Sequence, residues 1–137
     1  MKLFDDHKKK VLCFFNTHFD HKSPNVRKRN AEILLDEIDK VSEGKENALL
    51  SGDFNANEGE ACIEVIKKKL IDSCEKSEYT FHNFSGWNCM IGKIDFIFFG
   101  KEFARGEFIN IKTSEKRNGS TRYPSDHYPI KAILKYR

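Results

Sequence analysis

Apolar positions along the chain change period several times. Val11-Leu12-Cys13-Phe14-Phe15 is continuous without alternation, which at this length predicts a strand buried on both faces and ending at Asn16-Thr17-His18. Before it, Lys2-Leu3-Phe4 and the polar run from Asp5 to Lys10 read as the end of a strand and a hairpin loop. Ser23-Pro24 supplies an N-cap and a first-turn proline, and Val26, Ile33, Leu34, Ile38 and Val41 follow at helical spacing up to Gly44. This predicts an amphipathic helix packed on a sheet. A second strand, Ala48-Leu49-Leu50, runs into the segment Ser51 to Ala56. A second helix is expected from about Glu58 to Leu70, with Ile63, Ile66 and Leu70 inward. After a polar stretch from Asp72 to Trp87, strands are predicted at Lys93–Phe99, Phe108–Lys112 and Ile130–Tyr136, with the loop Thr113–Asp126 between the last two. The first half is thus βαβα and the second half strand-rich.

The 137 residues suit one compact domain covering 1–137, and 39% hydrophobic residues with twelve Phe mark an ordinary globular chain. A net charge of +3 is compatible with an anionic substrate but far from the footprint of a dedicated nucleic-acid binder. The clusters Lys8-Lys9-Lys10, Arg27-Lys28-Arg29 and Lys67-Lys68-Lys69 are read as a turn and two solvated helix faces. Cys13, Cys62, Cys74 and Cys89 lie far apart without C-x-x-C spacing, so free packing thiols are expected rather than a zinc knuckle or a disulfide framework. With no apolar run near the roughly 20 residues of a membrane span, and no signal-like start, the expectation is a soluble, cytoplasmic protein without a transmembrane segment.

Four polar signatures stand at or beside predicted strand ends: Asn16-Thr17-His18-Phe19-Asp20, Gly52-Asp53-Phe54-Asn55, Lys93-Ile94-Asp95-Phe96 and Ser125-Asp126-His127. Each alone is first of all turn chemistry. Together they offer a base for water, an acid for a leaving oxygen and donors for phosphoryl oxygens, while their carboxylates suit Mg²⁺, with Mn²⁺ as an alternative. In this order the motifs resemble those of the endonuclease/exonuclease/phosphatase superfamily, over nearly the whole chain. Thr80-Phe81-His82 and Arg122-Tyr123 are most similar to its small bacterial and deadenylase-like branch.

The resemblance implies an α/β fold: half of a four-layer α/β sandwich, with a mixed, mostly antiparallel β-sheet and helices on one face. It implies a metal-dependent phosphoesterase module. His18 would contact the scissile phosphate, Asp53 would orient water or the leaving group, and Asn55 would hold a phosphoryl oxygen. His127 would be general base or transition-state donor with Asp95 fixing its tautomer, Asp126 would help place the metal, and Arg122 would meet substrate phosphate. His7, His21 and His82 are read as solvated or structural, and Trp87 as core. The substrate class stays open among nucleic acids, nucleotides, inositol phosphates and phospholipid headgroups.

The same resemblance covers only the second half of a domain of about 250 residues. The family's early Asn and the glutamate that is its principal magnesium ligand have no counterpart here. Low activity in isolation is therefore expected, with a separate N-terminal half or a homodimer partner as the structural complement. A catalytically inactive remnant or binding module that keeps the fold is the alternative.

Overall fold

The computed structural model describes residues 1–74, 78–87 and 92–137. β1 (Lys2–Asp5) turns back into β2 (Lys10–His18) as an antiparallel pair, from Lys2 opposite Cys13 to Asp5 opposite Lys10. The turn forms because the Asp5 carboxylate accepts from the backbone N–H of His7 and of Lys8, each at 3.0 Å. α1 (Pro24–Ser42) begins where the Ser23 side chain accepts from Val26 N–H and Pro24 pre-sets the first turn. It ends at Glu43 and Gly44, both left-handed, with the Gly44 N–H donating to Asp39 at 3.0 Å. β3 (Ala48–Asp53) then runs parallel to β2, followed by α2 (Ala61–Lys67), β4 (Ile71–Asp72) and β5 (Asp95–Phe99). These strands form one sheet in the order β1-β2-β3-β5-β4. β6 (Phe103–Asn110), β7 (Glu115–Arg117), β8 (Ser120–Arg122) and β9 (Ile130–Tyr136) complete the chain, with β6 paired to β9 and β7 to β8 as two separate ribbons.

The core lies between the main sheet and the helices. Leu50, Phe96 and Phe98 on the sheet meet Ala31, Ile38, Ile63 and Ile66 on the helices, all essentially inaccessible. Phe54 joins them edge-on, its ring 5.6 Å from Phe96 and 5.4 Å from Phe98. Each Leu, Ile or Phe side chain among them adds about 1.5–3 kcal/mol when fully buried. This agrees with the expected half-sandwich: a mixed, mostly antiparallel sheet with helices on one face.

Several details differ from the sequence reading. The inward face of α1 carries Arg27, Ala31, Ile38 and Ser42, whereas Val26 and Ile33 are 45% and 47% exposed. The phase of the helix is set by Arg27, whose guanidinium reaches the Glu60 carboxylate at 2.7 Å and the Asp20 carbonyl at 3.3 Å, so this residue is buried rather than solvated. In β2 only Cys13 is fully buried and Val11 is 40% exposed, because the helices cover one face of the strand only. The polar stretch after Ile71 contains Asp72, paired at 2.6 Å with the equally buried Lys93. The loop expected at 113–126 contains the β7–β8 hairpin, and β6 starts at Phe103, ahead of an irregularity between Arg105 and Phe108 that hides its period from the sequence. Trp87 is 79% exposed, not core. Cys13, Cys62 and Cys74 are free and buried, as expected, while Cys89 lies outside the described residues. No helix among the described residues is long and apolar enough to cross a membrane.

Candidate active site

Strand register builds the site. His18 stands opposite Asp53 across the parallel pair β2–β3, and Asp53 stands opposite Asp95 across the antiparallel pair β3–β5. Directly paired residues share a face, and neighbouring strands lie about 4.8 Å apart, so the three side chains form a row at one end of the sheet, on the face away from the helices. Close approach of β2 and β3 depends on Gly52, since a Cβ there would lie 1.9 Å from the Thr17 carbonyl oxygen. His18 Nε2 consequently sits 3.3 Å from Asp53 Oδ2.

His127 enters this row from the segment before β9. Its Nδ1 lies 2.8 Å from Asp95 Oδ2, and its Nε2 lies 4.0 Å from Asp53 Oδ2. Asn55, with φ of 47°, folds back so that its backbone N–H donates to Asp53 Oδ1 at 2.8 Å and its side-chain amide donates to the Phe19 carbonyl at 3.0 Å. The five residues expected to act together are thus brought together.

Two residues without an assigned role in the sequence reading hold the site. The buried Thr80 hydroxyl accepts from the N–H of Ile94 and of Asp95, each at 3.1 Å, while the Thr80 carbonyl accepts from Tyr128 N–H at 2.8 Å. It therefore ties the start of β5 to the chain just after His127. Phe81 bridges His127 through the backbone, with its ring edge-on to the imidazole at 5.0 Å. The motif Thr80-Phe81-His82 was visible as a family resemblance, but an internal hydroxyl and a ring contact leave no periodic signal. His82 itself is fully buried and packed on Tyr128 at 4.1 Å, a structural histidine, whereas His7 and His21 are exposed.

Asp126 and Arg122 stand apart from the row. The Asp126 carbonyl accepts from the N–H of His82 and of Asn83, its carboxylate lies 3.4 Å from the Ser125 hydroxyl, and it is not one of the group Asp53, Asp95 and His127 whose ligand atoms all lie within 4.8 Å. Arg122 is exposed and lines a different cavity from the one bordered by Asp53 and Asp95.

Electrostatics separate the carboxylate from the imidazole. Burial, reinforced by the negative charge of Asp95, raises the Asp53 pKa despite the Asn55 N–H and the two histidines. Burial acts against a charged His127, yet the hydrogen bond to Asp95 and the charges of Asp95, Asp53 and Asp126 outweigh it and raise its pKa. Two half-buried carboxylates in mutual repulsion beside an imidazole nitrogen form a donor set that fits a divalent cation, with the oxygens suited to Mg²⁺ and the nitrogen better tolerated by Mn²⁺.

No model of a known protein family and no curated protein matches the sequence. Solved structures do. The mannosyl-6-phosphatase of Bacteroides thetaiotaomicron is 27% identical with a TM-score of 0.85, over 97% of this chain and 54% of that one. An endonuclease/exonuclease/phosphatase family protein of the same organism is 25% identical with a TM-score of 0.86, over 96% of this chain and 52% of that one. The chain has the fold of the C-terminal half of an endonuclease/exonuclease/phosphatase domain. It spans about half the length of the solved structures it matches. The β toxin of Staphylococcus aureus, solved with bound magnesium ions, shares the fold at 18% identity and a TM-score of 0.66, over 98% of this chain and 56% of that one. The neighbours thus include a phosphatase as well as a magnesium-bound protein of the same fold.

Proposed function

We propose that this chain is the acid-base half of a divalent-metal-dependent phosphoesterase. The observation that carries the reading is the row His18, Asp53 and Asp95 on three adjacent strands, closed by the 2.8 Å contact from Asp95 to His127. Asp95 accepts from His127 Nδ1–H and so leaves Nε2 directed at the reacting atoms. With its pKa raised, His127 is protonated in a larger share of molecules and donates from Nε2 to a phosphoryl oxygen of the substrate. Asp53 accepts a hydrogen bond from the attacking water and aligns it. That water forms the new P–O bond as the ester P–O bond breaks, its proton passes to Asp53, and the departing oxygen takes up a proton from solvent. His18, whose side chain is 72% exposed, reaches a phosphoryl oxygen from the open side, and the remaining amide N–H of Asn55 is available to another.

The carboxylates of Asp53 and Asp95, with Asp126 as an outlying oxygen donor, would hold Mg²⁺ or Mn²⁺, while His127 beside them keeps its Nε2 proton for the substrate. Such an ion offsets negative charge on the phosphoryl group and acidifies bound water. The cavity of about 440 Å³ between the main sheet and β9, bordered by Asp53, Asp95, Phe14, Leu49, Ile130 and Leu134, is where a complementary half-domain would pack.

The test is hydrolysis of bis(p-nitrophenyl) phosphate and p-nitrophenyl phosphate with Mg²⁺ or with EDTA. It is run on the chain alone and on the chain mixed with the separately produced first half of the Bacteroides phosphatase domain. Turnover that appears on mixing, disappears with EDTA and falls at least about 100-fold in His127→Ala is the expected result. Absence of metal-dependent turnover in the mixture, or an unaffected His127→Ala, refutes the reading.

A further inference from the structure

A second cavity, of about 370 Å³, lies beside the β7–β8 hairpin and is lined by Thr113, Ser114, Glu115, Arg122, Tyr123 and Pro124. Its size is at the lower end of the range for small-molecule sites. Glu115 and Arg122 occupy directly paired positions across the hairpin, yet among the described residues neither makes an ion pair or a side-chain hydrogen bond, with each other or with any neighbour. The Thr113 hydroxyl oxygen is buried and without a partner. A carboxylate that only accepts, a guanidinium that only donates and hydroxyls that do both therefore converge on one space with no internal partners.

Tyr123 forms the apolar wall and is rigidly placed. Its ring lies 4.7 Å from the buried His82, and its hydroxyl fills the space a Cβ at Gly86 would need, 1.9 Å away. The loop around Gly86 is fixed in turn, since the Gly86 carbonyl accepts the hydroxyls of Tyr79 at 3.1 Å and Tyr128 at 3.2 Å.

This combination selects among ligands. A phosphate or a polyanion is disfavoured by Glu115, which has no proton to donate when ionised. A ring bearing vicinal hydroxyls satisfies every group: hydroxyls donate to Glu115, accept from Arg122 and do both with Thr113 and Ser114, while the C–H face of the ring covers the Tyr123 ring. We propose that this cavity binds the polyhydroxylated ring of a sugar phosphate, with the phosphate lying toward His127. The phosphate end of the inference rests on the phosphoesterase reading above. Tyr123 and His127 are only four positions apart in the chain, so their Cα atoms are at most roughly 14 Å apart. Arg122 then serves ring hydroxyls rather than the scissile phosphate.

The test is calorimetric titration of the whole chain with mannose, mannose 6-phosphate, AMP and inorganic phosphate. Mannose 6-phosphate is expected to bind at least ten-fold more tightly than inorganic phosphate and than AMP. Glu115→Gln and Thr113→Val are each expected to weaken mannose and mannose 6-phosphate at least five-fold while leaving inorganic phosphate unchanged. Circular dichroism spectra matching the unsubstituted chain exclude misfolding in both variants. Failure of both sugars to bind, AMP binding as tightly as mannose 6-phosphate, or indifference of sugar binding to Glu115→Gln overturns the subsite. Mannose binding that depends on Glu115, in a chain whose mixture with the first half-domain shows no metal-dependent turnover, retains the subsite and refutes the catalytic reading instead.

Discussion

At the scale of residues, the site is a small set of opposed charges whose protonation is linked to folding. A histidine whose pKa is raised on folding contributes stability that is fully present below its unfolded value, about 6.5, and is lost as pH rises through the folded value. His127 is in this position because of Asp95. Asp53, a carboxyl with a raised pKa, has the same sign but acts from about pH 4 upward. Thermal unfolding in metal-free buffer is therefore expected to show stability falling as pH rises above about 6.5. Asp95→Asn, which removes the charge that raises His127, flattens that fall; an unchanged slope in this variant means that another group is responsible. The residues of this pair were legible in the sequence because they sit in short motifs. The contact between them was implied by the family resemblance but by no local pattern, since positions 95 and 127 approach where the Thr80 hydroxyl and the Phe81 ring bring the two segments together.

At the scale of elements, the geometry of the candidate site depends on how closely strands approach. Replacing Gly52 by Ala places a methyl group against the Thr17 carbonyl and must push β2 from β3 at the point where His18 meets Asp53. A destabilisation of about 1–3 kcal/mol is expected in urea unfolding. Site-dependent phosphate binding should fall by more than that loss of folded protein explains. A second element-level lock is the ion pair joining Lys93 to Asp72, with side chains only 1% and 7% exposed. Lys93→Ala leaves a buried carboxylate without its cation and is expected to cost about 3–5 kcal/mol, measured in the same way. A loss below about 1 kcal/mol would show that water reaches Asp72. Both helices and most strands followed from periodicity, but the β7–β8 hairpin and the phase of α1 did not. Arg27 turns inward because Glu60 and the Asp20 carbonyl bond its two terminal guanidinium nitrogens, a partnership that no local pattern encodes.

At the scale of the whole molecule, helices cover one face of the main sheet, while the other is only partly covered by the β6–β9 ribbon. Leu3 is 44% exposed, and Phe14 and Leu49 border the cavity beneath the ribbon. Apolar surface of this kind associates. Sedimentation equilibrium is expected to show concentration-dependent self-association of the chain, reduced when the first half-domain of the Bacteroides phosphatase is added; a strictly monomeric chain at high concentration excludes it. The sequence by itself determined both helices and most strands, the class of fold and the identity of the candidate acid-base groups, because these are written in local period and in motifs at strand ends. Only the tertiary structure decided which groups meet. Register placed His18, Asp53 and Asp95 in one row, Thr80 and Phe81 held His127 against it, and the β7–β8 hairpin left Glu115 and Arg122 facing a cavity without partners. The physical reason is that contacts between residues far apart in the chain depend on packing and strand pairing, which leave no signature in the neighbourhood of either residue.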